Sequence, residues 1–148
     1  MARVRFSDIA KRIGEEVLAP LGFASLRVLD MLVFARKRRD SLFDCVSFYT
    51  HRDGESFTVE LGVTRDPKDF GMANFTEDGA WQRFGLRERL GVLVHGSPPD
   101  LRSSDRDFFP YVDRESATRQ VRRALDLVLS VGPGAWDRFA SRLAGTPL

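Results

Sequence analysis

Three side chains near the middle of the chain have the chemistry for acid–base work: Tyr49, His51 and Glu60. A phenol, an imidazole and a carboxyl within a few side-chain lengths can act as acid, base and orienting group. Their reach depends on the segment that carries them, Asp44-Cys-Val-Ser-Phe-Tyr-Thr-His-Arg-Asp-Gly-Glu-Ser-Phe-Thr-Val-Glu-Leu-Gly-Val63, which reads as a β-hairpin. Asp53-Gly54 supplies a tight reversal, because glycine reaches positive φ without a Cβ clash. Counting outward sets Thr50 opposite Phe57, Phe48 opposite Val59 and Val46 opposite Leu61, all on one face. The other face carries Cys45, Ser47, Tyr49 and His51 against Ser56, Thr58 and Glu60, and is expected to be polar and exposed. A half-exposed antiparallel sheet needs such residues on its outer face in any case. The constellation alone does not specify catalysis.

The remaining reactive residues are sparse. Cys45 shares a face with His51, but six residues of strand put them about 20 Å apart, too far for a thiol–imidazole dyad. Two histidines and one cysteine without ligand spacing suggest no metal site. No glycine-rich phosphate fingerprint is present, so no cofactor is expected. The basic run Arg36-Lys37-Arg38-Arg39 is split between two faces by strand alternation. Arg83, Arg87 and Arg89 form a second stripe if their segment is a strand. Stripes meeting on one face would favour an anionic ligand or an acidic protein. Neither stripe is interleaved with aromatic residues, which argues against nucleic acid as a partner. The carboxylates and aromatics from Asp105 to Asp113 read as capping and packing.

The elements that must position these residues can be placed by periodicity. Ser7 is a candidate N-cap for a helix with Ile9, Ile13, Val17 and Leu18 on one stripe, ended by Pro20 and Gly22. Ser25–Leu29 and Leu32–Lys37 read as strands around a reversal near Asp30. They place Leu32, Phe34 and Arg36 on one face, with Val33, Ala35 and Lys37 on the other. Thr64–Gly79 is an irregular excursion, either a flap or a short element, with Phe70, Met72 and Phe75 tucked back onto the body. Trp81–Val94 reads as a fifth strand from the alternation of Phe84, Leu86, Glu88 and Leu90, although Trp81, Phe84 and Glu88 also fit a helix. His95 to Asp105 is a loop. Asp113 caps a helix over Arg114–Val131. Gly132 should stop it and Pro133 start another through about Leu143, carrying Trp136, Phe139 and Ala140.

Bulk properties bound the rest. A chain of 148 residues suits one domain, 1–148, and can bury a core without a metal or disulfide staple. The net charge of +2 is too small to indicate a partner. Twenty of the 23 basic residues are Arg, which fits codon bias in a GC-rich genome. A single Cys excludes an internal disulfide and fits a reducing compartment. Neither a secretory h-region nor a membrane-length apolar run is found. The expectation is a cytoplasmic protein with no membrane partner.

The order of segments carries a resemblance. A helix ends in Leu18-Ala-Pro-Leu-Gly-Phe23, a basic strand pair follows, and the hairpin closes on Val59-Glu-Leu-Gly-Val63. Arg87-Glu-Arg-Leu-Gly91, Asp107-Phe-Phe109 and a terminal helical segment complete it, from about Phe6 to Phe139. This resembles the bacterial family known as domain of unknown function 4304. The resemblance implies a single small α+β domain of bacterial origin, and no catalytic residues to transfer. The expected architecture is a two-layer α+β domain. In it an antiparallel sheet of about five strands has an N-terminal helix and two C-terminal helices packed on one face. The leading functional expectation is a non-enzymatic binding or interaction protein, with an immunity-like role as one version of it, that binds a protein partner through Tyr49, His51, Glu60, Arg36, Arg87 and Arg89. Two alternatives are a small-molecule enzyme or hydrolase on the polar face and a weak anion or nucleic-acid binder on the arginine stripes. An exposed edge strand also leaves a homodimer open.

Overall fold

Alternating apolar residues give the central strands one face for helices to cover. In the computed structural model, which describes residues 5–51, 54–75, 84–96 and 109–144, the domain is a two-layer α+β fold. Helix α1 (Phe6–Leu18) leads into β1 (Ala24–Val28), β2 (Met31–Lys37), β3 (Phe43–Thr50) and β4 (Ser56–Thr64). A 3-10 helix (Pro67–Met72) and the two-residue β5 (Asn74–Phe75) follow. Next come β6 (Gly85–Arg89), α2 (Leu90–His95), β7 (Phe109–Pro110) and α3 (Arg114–Ala144). The sheet runs β1-β2-β3-β4-β6-β5, with β7 beside the start of β4. Every pairing is antiparallel except the short β5–β6 contact.

The hairpin register matches the sequence expectation, with Val46 opposite Leu61, Phe48 opposite Val59 and Thr50 opposite Phe57. The reversal is wider than a two-residue turn. His51 N–H donates to Ser56 O at 2.9 Å and Gly54 N–H donates to His51 O at 3.0 Å, with Gly54 at φ 70°. Asp53 itself lies outside the described residues.

The helical layer is built on aromatic rings. Phe6 stacks on Phe57 at 4.5 Å and on Tyr111 at 5.4 Å, and Phe57 stacks on Phe109 at 5.1 Å. Burying Phe6 draws it into α1, so the helix starts one residue before Ser7 and its N-cap is Arg5. Phe109 and Tyr111 are packing residues, as their segment suggested, while residues 105–108 lie outside the described set.

Two sequence expectations are corrected. The C-terminal segment does not break at Gly132-Pro133 but continues as one helix of 31 residues. An internal proline costs about 3 kcal/mol, and Pro133 meets that cost on the exposed side of the helix. Continuity in return carries Ala135, Trp136, Phe139, Ala140 and Leu143 into the core. Gly132 makes room for it, because a Cβ there would lie 2.7 Å from the Trp136 ring. The second correction concerns the fifth strand, which covers Gly85–Arg89 only; Leu90 opens the short helix α2. Trp81–Arg83 and residues 76–79 of the excursion lie outside the described residues.

Candidate functional site

Strand alternation sorts the candidate residues onto two faces. Arg36 pairs with Asp44, which in turn sits opposite Val63, and all three point toward the helices. Arg87 is opposite Gly62 and Arg89 opposite Glu60, on the other face with Cys45, Ser47 and Tyr49. The two arginine stripes therefore do not share a face. Arg83 lies outside the described residues.

Arg36 is occupied in holding the helical layer. Its Nη2 donates to Asp44 Oδ2 at 2.8 Å and its Nη1 donates to Leu21 O at 3.2 Å. Its guanidinium lies 4.5 Å from the Phe23 ring centre and 5.4 Å from that of Trp136. Arg38 extends the network, donating to Asp44 Oδ1 at 2.9 Å and to Asp137 of α3 at 3.1 Å. This network ties one end of the sheet to α3, and single-sequence reading gave no sign of it. Its members come from three distant segments.

The face expected to be open is largely covered. Chain after β4 folds back as a flap whose Phe70 is fully buried against Val28, Met31, Val33 and Cys45. Gly62 is the seat for that ring, since a Cβ there would lie 2.8 Å from Phe70 and 2.5 Å from Leu86 O. Asp66 caps the flap's 3-10 helix by accepting from Lys68 N–H at 3.0 Å. Of the residues expected to tuck back, Phe70 does so fully and Phe75 partly, whereas Met72 stays exposed. Ser47, Thr58, Thr64 and Glu60 are all buried, which overturns the expectation of an exposed polar face. The physical reason lies in the neighbouring strands. Val28, Met31 and Val33 extend this face with apolar surface that needs a cover.

Under the flap, Glu60 is 7% exposed and meets Arg87 Nη1 at 3.3 Å. Burial pushes the Glu60 carboxyl above its ordinary range; Arg87 and Arg89 pull it back down, and Glu88 adds to the upward push. Ser47 stands directly opposite Glu60, and its Oγ is buried without a hydrogen-bond partner among the described residues. Arg87 and Arg89 lie over Phe75, at 4.4 and 5.5 Å from its ring centre. That aromatic seat was not legible beforehand, because it forms through the parallel β5–β6 contact.

Tyr49, His51 and Glu60 do not converge. Tyr49 is half-buried one row along from the Ser47–Glu60 pair. His51 is exposed at the hairpin end, four residues beyond Ser47, or about 13 Å along the strand. Cys45 is sealed beneath Phe70, and burial pushes its thiol up to about 12. Its Sγ lies 3.6 Å from Thr64 Oγ1, a contact that favours the thiolate but does not outweigh desolvation. Among the described residues, no three His, Cys, Asp or Glu side chains are placed to share a metal ion. No helix among them is long and apolar enough to cross a membrane. Comparison with known proteins gave no match to a family model, to a curated protein or to a solved structure.

The accessible part of this face is a strip. Its side chains lie at two ends, His51 and Tyr49 at the hairpin end and Arg89, Arg87 and Phe75 at the edge of the flap, with the buried Thr58 and Glu60 between them. Among the described residues, Arg87 and Arg89 bring two guanidinium groups to this end of the face, and the Glu60 carboxyl meets Arg87.

Proposed function

We propose that this chain is a non-enzymatic, partner-binding protein of the bacterial cytoplasm, belonging with the domain of unknown function 4304 family that its sequence resembles. The carrying observation is the guanidinium–aromatic cluster, with Arg87 and Arg89 held over Phe75 on the same sheet face as Tyr49. Arginine and tyrosine dominate the energetics of protein interfaces, because each offers a large rigid contact surface with a polar end. Guanidinium donors there suit carboxylates on the partner. An immunity-like role, blocking another protein by covering it, fits such a surface.

The test is capture of partners from the native cells by the tagged wild-type chain and by a Tyr49→Ala, His51→Ala, Arg89→Ala variant. A stoichiometric protein held by the wild type and lost by the folded variant is the expected result. Equal capture by both chains would overturn the assignment of the strip. Arg87 is left intact in this variant, because removing it would strand Glu60.

One observation favours a second reading as a small-molecule site under the flap. Among the described residues, the buried Ser47 hydroxyl has no partner, and it faces a carboxyl whose pKa is raised. A polar ligand seated there would raise the melting temperature of the wild type and not of Glu60→Gln; an equal shift in both chains would remove this reading.

A further inference from the structure

The first strand of the sheet lies at its edge. Among the described residues, β1 is hydrogen-bonded on one side only, to β2. Val28 and Met31 close a two-residue loop, so they must form a hydrogen-bonded pair. Alternation then makes Leu26–Val33 and Ala24–Ala35 hydrogen-bonded pairs as well. The N–H and C=O groups of Ser25 and Arg27 are left pointing outward from the sheet.

We infer that β1 pairs antiparallel with β1 of a second copy, about a two-fold axis through Leu26. In this register Ser25 of each chain faces Arg27 of the other, and the two pairs exchange four backbone hydrogen bonds. Leu26 meets its own copy as a non-hydrogen-bonded pair. The competing register that sets Arg27 against Arg27 juxtaposes like charges, and the one that sets Ser25 against Ser25 uses fewer outward groups. No proline, bulge or lysine protects this edge, and Arg27 is its only charge.

A second observation agrees with this axis. Leu29, just after β1, is 80% exposed and held at φ 56°, a conformation that is costly for a residue with a Cβ. Leu21, just before β1, is 45% exposed. Antiparallel pairing brings the Leu29 end of one strand alongside the Gly22–Phe23 start of the other, next to Leu21. Both exposed leucines thereby acquire a neighbour.

Sedimentation of the full chain over a wide concentration range tests the pairing. The wild-type mass should rise from 16.8 kDa toward twice that value. Arg27→Pro deletes an outward N–H while leaving the β1–β2 bonds in place, and should stay at the monomer mass with an unchanged circular dichroism spectrum. Leu26→Cys should form an intermolecular disulfide about tenfold faster than Ser25→Cys, because only position 26 meets itself at disulfide distance. A wild type that is monomeric throughout would overturn the inference, as would a folded Arg27→Pro that still dimerises. Should Arg27→Pro fail to fold, equal cross-linking at positions 25 and 26 would overturn it.

Discussion

Replacing Arg87 with Met keeps an apolar stem against Phe70 and Phe75 but strips the counter-charge from Glu60. The separation of 3.3 Å sets the scale. At an effective dielectric of about 20, that distance corresponds to roughly 5 kcal/mol of attraction. Desolvation outweighs it, since the Glu60 carboxyl stays above its ordinary range despite Arg87 and Arg89, and Arg89 remains across the strand pair. The net loss expected for Arg87→Met at pH 7 is about 3 kcal/mol, in the range for stranding one half of a buried pair. With a urea dependence of about 2 kcal/mol/M, the unfolding midpoint should fall by about 1.5 M. Glu60→Gln alone should cost less than about 1 kcal/mol, and adding it to Arg87→Met should recover about 2 kcal/mol, because no buried charge is then left unpaired. The pH dependence has a definite sign. A carboxyl with a folded pKa above its unfolded value binds its proton more tightly in the folded state, so stability is fully present below the unfolded pKa. It falls as pH rises through the folded pKa. Arg87→Met should enlarge that loss, and Glu60→Gln should abolish it. An Arg87→Met midpoint within about 0.2 M of wild type, with no coupling in the cycle, would refute the argument that the pair holds this face together.

Other outcomes follow from the same geometry. Phe70→Ala should cost about 3–5 kcal/mol and speed labelling of Cys45 by a thiol reagent at pH 8, where the wild-type thiol should be inert until denatured; an unchanged labelling rate would mean that the flap is not the seal. Gly132→Ala gains about 1 kcal/mol of helix propensity but drives a methyl into the Trp136 ring, so a net loss of about 1–2 kcal/mol and altered tryptophan emission are expected; a rise in stability would contradict the packing. Asp113 caps α3, accepting from Ser116 N–H at 2.8 Å, and this bond holds its carboxyl below the usual range. Asp113→Ala should lower the melting temperature near neutral pH, and the difference should vanish as pH falls through the folded Asp113 pKa, since the cap requires the ionised form. A difference that persists in acid would contradict the cap.

The hairpin was readable because period-two alternation and a turn fix a register, and one shift would have turned Val46, Phe48 and Val59 out of the core. Its cover was not readable from the hairpin alone. Cys45, Ser47 and Glu60 look like an exposed polar face until Val28, Met31 and Val33 are set beside them, and that placement depends on pairing between strands. The same non-locality hid the opposed directions of Arg36 and Arg87. Pro133 failed as a helix boundary because local preference competes with tertiary burial, and Trp136 packed over Gly132 tips the balance. The acid–base trio did not assemble because strand rise sets positions that side-chain type cannot change. Four residues separate His51 from the partner of Glu60.

The binding reading is tested most directly by mapping the captured partner onto the isotopically labelled chain by nuclear magnetic resonance. Amide shifts and line broadening should cluster at Tyr49, His51, Phe75, Arg87 and Arg89 and leave the exposed faces of α1 and α3 unchanged. Perturbations confined to the helical layer, with none along that strip, would contradict the account.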